Sequence, residues 1–219
     1  MLRTAVTNWI YYVSEWAQHV LRLWGSTPEA DVSRHFRASP EISVVLSVRD
    51  DEDLIGHQVH AVAKHLVGMG LDFEIVAVND GSVDNSMPML ELLASRMPAL
   101  RIVRANAAGR AFLRGASEAR GAIVVLLEAS RPVSLGPLAW ALSRLAAGRE
   151  AVILRGRCIV ARRLLALPVI VRATGPGLLF ERVFERRAQD LGIDVVGSHP
   201  IRKDSVSRLL APVLKFLAA

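Results

Sequence analysis

Short β-branched-rich runs return along this chain at intervals that leave room for one helix between them, and no other feature limits the fold as much. The run EISVVLSV (41–48) is followed by apolar residues at helical spacing: Leu54, Val59, Val62, Ala63 and Leu66. DFEIVAVN (72–79) comes next, then a helical pattern over 87–97, LRIVRAN (100–106) and a third helix over 110–120. GAIVVLLE (121–128), a helix over 135–147 and EAVILRG (150–156) complete the series. Continuous apolar runs this short, bounded by turn residues, read as strands buried on both faces. Strands alternating with helices at this spacing imply right-handed βαβ crossovers, hence an α/β fold with a mostly parallel sheet. Ligands of such sheets bind at the carboxyl ends of the strands.

The chain has 219 residues, 52% of them hydrophobic, enough for one α/β domain with a sizeable core and an appended element. No uncharged apolar run approaches the length that crosses a bilayer, and the first residues lack the pattern of a signal peptide. The single cysteine, Cys158, excludes an internal disulfide and a cysteine zinc cage; it reads as a small core residue in a reducing, cytoplasmic setting.

Residues 2–24 carry an amphipathic pattern. Leu2, Val6, Trp9, Val13, Trp16, Val20 and Leu23 alternate steps of four and three, and Tyr11 and Tyr12 lie beside them. Tryptophan and tyrosine favour a boundary with one dry and one wet side. Two readings stay open: a helix packed on its own domain or on a second copy, or one lying in a membrane interface or gripping a membrane partner. The expected organisation is an aromatic-rich helix over 1–25, a linker over 26–40, a main domain over 41–204 and a C-terminal helix over 205–219.

The net charge of +6 is unevenly spread. Residues 1–100 hold 7 Lys/Arg against 13 Asp/Glu, whereas residues 101–172 hold 13 Arg against 3 Glu. The basic segment offers only Phe112 and Trp140 for stacking, so no nucleic-acid partner is expected. At the strand ends, acids and arginines gather on one edge. Arg49 and the run Asp50-Asp51-Glu52-Asp53 follow the first strand, and Asn79-Asp80-Gly81-Ser82 follow the second. Glu128-Ala129-Ser130-Arg131 follow the fourth, and Arg155 and Arg157 the fifth. Each has a plain structural explanation too. Asp50 suits a helix N-cap with acids in the first turn, and Asp80-Gly81 suits a turn with Ser82 or Asp84 capping the next helix. His57, His60 and His65 fit a solvated helix face.

Taken in order, ISVVLSVRDDEDL, EIVAVNDGSVDNS, NAAGRAFLRGASEARGAIVVLLEAS and AVILRGR resemble the family-2 glycosyltransferases, most closely those acting on polyprenyl phosphates. The family's Val-Asp-Asp-Gly-Ser is matched by Val78, Asn79, Asp80, Gly81 and Ser82. Its glycine-alanine segment is matched by Asn106, Gly109, Ala111, Gly115, Ala119 and Gly121. The late stretch GIDVVGSHPIRKDSVSRLL resembles the family's closing strand and basic loop. The resemblance implies a GT-A (Rossmann-like) fold and a nucleotide-sugar donor whose base and ribose meet Asp80 and Asn79 beside Gly81. It also implies an acceptor that is a polyprenyl phosphate or a glycan, and a protein peripheral at the inner face of a membrane.

The chain departs from the family at two places. The Asp-x-Asp that holds a divalent metal is replaced by Glu128-Ala129-Ser130, which leaves Glu128 and Ser130 as the candidate ligands for Mg2+ or Mn2+ and weakens or removes that site. Arg131, Arg155 and Arg157 could then neutralise the diphosphate. Between Arg163 and Phe180 no acid stands where the family carries its acceptor motif, and no catalytic residue is legible. Two accounts follow: an inverting glycosyltransferase, or a catalytically silent scaffold of the same fold bound to a membrane complex through residues 2–24.

Overall fold

The computed structural model describes residues 40–105, 109–131, 135–173 and 177–198. The expected helix over 2–24, nearly all of the linker, Asn106 and the C-terminal helix over 205–219 lie outside the described residues. The described residues belong to one compact unit, Ser39–Ala219.

In chain order the elements are β1 (Ile42–Val48), α1 (Ile55–Gly68), β2 (Phe73–Asn79), α2 (Ser86–Ala94), β3 (Leu100–Arg104), α3 (Ala111–Glu118) and β4 (Ile123–Glu128). There follow α4 (Leu138–Ala146), β5 (Ala151–Leu154), β6 (Cys158–Arg162), α5 (Arg163–Arg172), α6 (Gly177–Asp190) and β7 (Val195–Ser198). The strands form one sheet in the order β3-β2-β1-β4-β6-β5-β7. All pairings are parallel except those of β6, which runs antiparallel to both β4 and β5. This is the mostly parallel, helix-flanked sheet of the GT-A fold that the strand spacing and the resemblance led one to expect. The antiparallel β6 and the two helices after it went unforeseen.

Central strands are buried on both faces, which is why they read as unbroken apolar runs: β2 is buried at every position. One core lies between the sheet and α3, α5 and α6, with Phe180, Phe184, Val169 and Ile170 closing over Val45, Val78, Leu126 and Ile159. Helix α3 approaches the sheet so closely that a Cβ on Gly115 would stand 2.2 Å from Val45 Cγ1 and 2.9 Å from Val78 Cγ2. At Gly121 a Cβ would meet the backbone nitrogen of Ser43 at 2.7 Å. Gly115 and Gly121 are therefore packing residues rather than a nucleotide fingerprint, whereas Gly109 has open space about it and a left-handed φ of 75°.

The amino-terminal edge of the sheet is tied by a buried carboxylate. Glu74 Oε1 accepts from the Ser43 hydroxyl (2.7 Å) and the Arg120 N–H (2.7 Å), while Oε2 accepts from Arg101 Nε (3.0 Å). Ser43 Oγ in turn accepts from the Gly121 N–H. Three neighbouring strands and the turn into β4 thus share one ionised group. Register then sets the opposite, carboxyl edge: Asn79 stands level with Val48, and Glu128 with Ser47.

Candidate functional site

Two clusters stand on that carboxyl edge. The first joins the loops after β1 and β2. Asp50 Oδ1 accepts from the Val83 N–H (2.7 Å), and Glu52 Oε2 from both the N–H and the Nδ2 of Asn85 (2.8 Å each). In return Asp84 Oδ2 accepts from the Glu52 N–H, and the hydroxyls of Ser82 and Ser86 accept from the N–H groups of Asp50 and Asp51. The acidic runs are a clasp. Asp50 sits at φ 55°, a left-handed conformation unusual outside glycine, and so cannot serve as the N-cap expected of it. The N-cap of α1 is Leu54, with no acid in the first turn. Asp84, not Ser82, turns back to the Ser86 N–H at the entry to α2.

Charge inside the clasp is uneven. Burial pushes the Asp51 carboxyl above its ordinary value, helped by Asp84, Asp50 and Glu128 nearby and opposed by the N–H of Arg49. For Asp84, burial pulls upward, but hydrogen bonds from Ser86 and the Glu52 N–H outweigh it and hold the carboxyl below its ordinary value.

At the foot of the clasp, Asn79 Oδ1 accepts from the N–H groups of Gly81 (3.1 Å) and Ser82 (2.8 Å). An amide oxygen thus shapes the turn as a carboxylate would, without the charge. Asp80, buried to 8% exposure, receives the Gly109 N–H on both oxygens (3.2 and 2.9 Å). This bond ties the β2 turn to the entry of α3.

The second cluster surrounds a small open cavity of about 20 Å3 beyond β4, lined by Glu128, Arg131, Arg157, Cys158, Phe112, Phe180 and Glu181 among others. Phe112 of α3 packs on Phe180 of α6, ring centroids 4.6 Å apart, and forms its apolar wall. Arg157 arrives on the tight turn between β5 and β6, closed by its N–H donating to the Leu154 carbonyl. The antiparallel register pairing Leu126 with Ile159, carried two residues on, brings Arg157 level with Glu128. Arg131 Nε lies 3.2 Å from Glu128 Oε2. The loop carrying both is fixed from α1: buried Gln58 donates Nε2 to the carbonyls of Ala129 (3.2 Å) and Arg131 (2.7 Å).

The structure therefore brings Glu128, Arg131 and Arg157 together. Asn79, Asp80 and Gly81 stand two strands away, roughly 10 Å at normal strand spacing. Arg155 is spent elsewhere: its Nη2 bonds both oxygens of Glu185 on α6 (2.8 and 3.0 Å). Ser130 is exposed beside buried Ala129. The Cys158 thiol, buried, is pushed up to about 12 and is inert as a nucleophile.

Sequence reasoning missed Gln58 and Glu181. Glu181 lies just past the stretch that lacks acids, 8% exposed, with both oxygens 3.1 Å from the Gly156 N–H. Burial pushes its carboxyl above the ordinary value; the Gly156 N–H, Arg131 and Arg155 pull it down, and Glu128 adds to the rise. Its helical spacing with Glu185 and the flanking Phe180 and Phe184 were the available signals.

A divalent metal does not fit these donors well. Among the described residues, no group of three or more His, Cys, Asp or Glu stands close enough to hold one. Glu128 faces a guanidinium, Ser130 is neutral, and Asp80 is engaged by Gly109. Hard cations select several oxygen ligands, with affinity set by their charge.

Residues 43–129 match the family model described as glycosyl transferase family 2. No curated protein matches the chain in sequence. Among solved structures, the mannosyltransferase PcManGT from Pyrobaculum calidifontis, in complex with GDP-Man and Mn2+, is similar with a TM-score of 0.59 at 17% identity. That match covers 91% of this chain and 68% of the other. S. aureus TarS 1–349 is similar with a TM-score of 0.56 at 13% identity, over 73% of this chain and 58% of TarS. Glucosyl-3-phosphoglycerate synthase from Mycobacterium tuberculosis, with Mn2+, UDP and phosphoglyceric acid, gives 0.54 at 18% identity, over 78% and 74%. The chain spans little more than half the length of that TarS fragment. At these identities the likeness is one of fold. Residues 43–129 thus carry the sequence pattern of glycosyl transferase family 2, and the described residues have the GT-A fold.

Proposed function

We propose that the protein binds a nucleotide-sugar donor along the carboxyl edge of β2, β1 and β4 and transfers the sugar with inversion. The observation that carries this reading is the shared edge. A rigid acidic turn able to accept from base N–H and ribose hydroxyl groups lies in register with a cavity holding two arginines and two carboxylates. Asp80, with Asn79 and Gly81, receives the base and ribose. The sugar and diphosphate lie toward Glu128, Arg131 and Arg157. An acceptor oxygen attacks the anomeric carbon as its bond to the diphosphate oxygen breaks, and that oxygen leaves with the electron pair.

Glu181 is the group suited to take the proton of a hydroxyl acceptor. Its depleted solvation raises its basicity above that of an exposed carboxylate. A phosphate acceptor, such as a polyprenyl phosphate, is already an anion and needs no base. A lipid acceptor fits a protein peripheral at the inner face of a membrane, with residues 2–24 as the contact. Among the described residues no helix is long and apolar enough to cross a membrane.

Titration of the protein with UDP-, GDP- and dTDP-sugars by calorimetry tests the donor. Micromolar binding of one of them, abolished by Asp80→Ala in a protein that stays folded, is expected; no binding by any refutes the reading. Glu181→Gln separates the acceptor classes. Binding retained with transfer lost marks a hydroxyl acceptor, and transfer retained marks a phosphate.

A second reading is a silent scaffold docked on a membrane complex, favoured by one observation: the carboxylates of Asp80 and Glu128 are both engaged within the protein. It requires that Trp9→Ala with Trp16→Ala release the protein from membranes. Unchanged co-sedimentation counts against it.

A further inference from the structure

The end of the site that would hold a diphosphate is built around arginine rather than around a metal ion. Two carboxylates closing β4 would repel a pyrophosphate until a divalent cation lay between them. Here one carboxylate is present. Glu128 faces Arg131 at 3.2 Å, the Ala129 side chain is buried, and the exposed Ser130 hydroxyl is neutral. A cation at Glu128 would have to displace a guanidinium and would gain one charged ligand.

The remaining cavity charges are Arg157, from the β5–β6 turn, and Glu181, from α6. Two arginines therefore offset two carboxylates, a balance that a bare carboxylate pair reaches only after binding a divalent ion. The Glu128–Arg131 pair is also easily exchanged. Its Nε–Oε2 contact is longer than the ~2.7–2.9 Å of a strong charge-assisted bond, and the Arg131 side chain is 35% exposed. Gln58 holds the backbone of the same loop, so the guanidinium can move while its anchor stays fixed.

The geometry points to a metal-independent diphosphate site in which Arg131 exchanges Glu128 for the pyrophosphate and Arg157 closes on it from the β5–β6 turn. The inference rests on the donor-binding reading above and names how the donor is held.

The two designs differ in the sign of one substitution. If Glu128 is a metal ligand, Glu128→Gln weakens donor binding. If Glu128 only restrains Arg131, the same change leaves binding intact or tightens it, because a competing anion has gone. Calorimetric titration of the full chain with UDP, GDP and dTDP, each in EDTA and each in Mn2+, decides between them. For whichever nucleotide binds, affinity in EDTA and in Mn2+ is expected to agree within about two-fold. Arg131→Gln is expected to weaken it about ten-fold or more, as loss of a charge-assisted contact does. Glu128→Gln is expected not to weaken it.

Binding that needs Mn2+, or that Glu128→Gln abolishes in a folded protein, overturns this inference and leaves the donor-binding reading standing. Absence of binding in both buffers overturns the donor-binding reading and the inference with it. Should Arg131→Gln fail to fold, the comparison of EDTA with Mn2+ on the unaltered protein decides alone.

Discussion

The substitution Glu74→Gln offers a measure of how firmly the amino-terminal edge holds the sheet that carries the site. Glutamine is isosteric. Its Oε1 keeps the bonds from the Ser43 hydroxyl and the Arg120 N–H, both now at 2.7 Å. Its amide nitrogen then faces Arg101 Nε across 3.0 Å, donor against donor. The surviving bonds lose their charge, and the Arg101 contact becomes repulsive. Breaking a fully buried pair costs about 3–5 kcal/mol. The Glu74 side chain is 8% exposed but that of Arg101 is 27%, so water can partly repair the loss. About 2–3 kcal/mol is the expected destabilisation, close to one hydrogen bond to a charged group. In a domain of this size that lowers Tm by roughly 5–10 °C. Urea unfolding followed by circular dichroism measures it, with Arg101→Met and the double variant completing the cycle. The double variant should lie closer to Arg101→Met than the sum of the two singles would place it. Glu74→Gln within about 0.5 kcal/mol of the parent, or strict additivity in the cycle, would refute the claim that one buried carboxylate ties these strands.

Other perturbations bear on the packing and on the carboxyl edge. Gly115→Ala drives a methyl against Val45 and Val78, neither of which can swing aside, and should cost about 1–3 kcal/mol by the same unfolding assay. Asp51, its folded pKa raised, contributes stability below its unfolded value that is lost as pH rises through the folded one. Asp51→Asn should therefore stabilise the protein at pH 7, with the gain vanishing near pH 3 in a series of thermal melts. Asp84, its folded pKa lowered, works the other way: its stabilisation is present above the unfolded value near 3.8 and lost as pH falls through the folded one. Asp84→Asn should accordingly be destabilising at pH 7 and nearly neutral in strong acid. Gln58→Leu unhooks the Ala129–Arg131 loop and should weaken nucleotide binding more than it lowers Tm, as read by calorimetry beside a thermal melt.

Much of the fold could be read from the chain because parallel strands buried on both faces leave a continuous apolar record. β1, β2 and β4 begin and end within a residue or two of the runs that announce them. β6 left no such record. CIVAR is five residues long and follows an Arg-Gly-Arg turn, so it looks like the tail of a loop. The site was legible in its ingredients and not in its pairings. Asp50 and Glu52 look like a helix start because nearby sequence is all that a pattern can use, whereas their partners stand 32 or 33 residues on. Arg155 and Arg157 look equivalent in sequence. Only the turn between them separates one that reaches Glu185 from one that lines the cavity. Glu181 was hidden for the same reason: nothing local says that α6 will lay it beside Gly156.

The two halves of the edge are held by different means, and that difference carries a functional consequence. The loops after β1 and β2 are joined by backbone N–H groups bonding to carboxylates, an arrangement that fixes geometry and leaves little charge to respond to a ligand. The cavity beyond β4 is bordered by a side-chain ion pair, Glu128 with Arg131, whose partners can be exchanged. A donor would therefore meet a preformed surface at its base and ribose and a responsive one at its diphosphate. Salt screens the second far more than the first, because its Debye length of about 8 Å at physiological ionic strength is comparable to the cavity itself. Nucleotide affinity should fall steeply with added salt, whereas affinity for the nucleoside alone should scarcely change. A nucleoside that loses affinity as steeply as its diphosphate would mean that the clasp, and not the arginine cavity, carries the charge that matters.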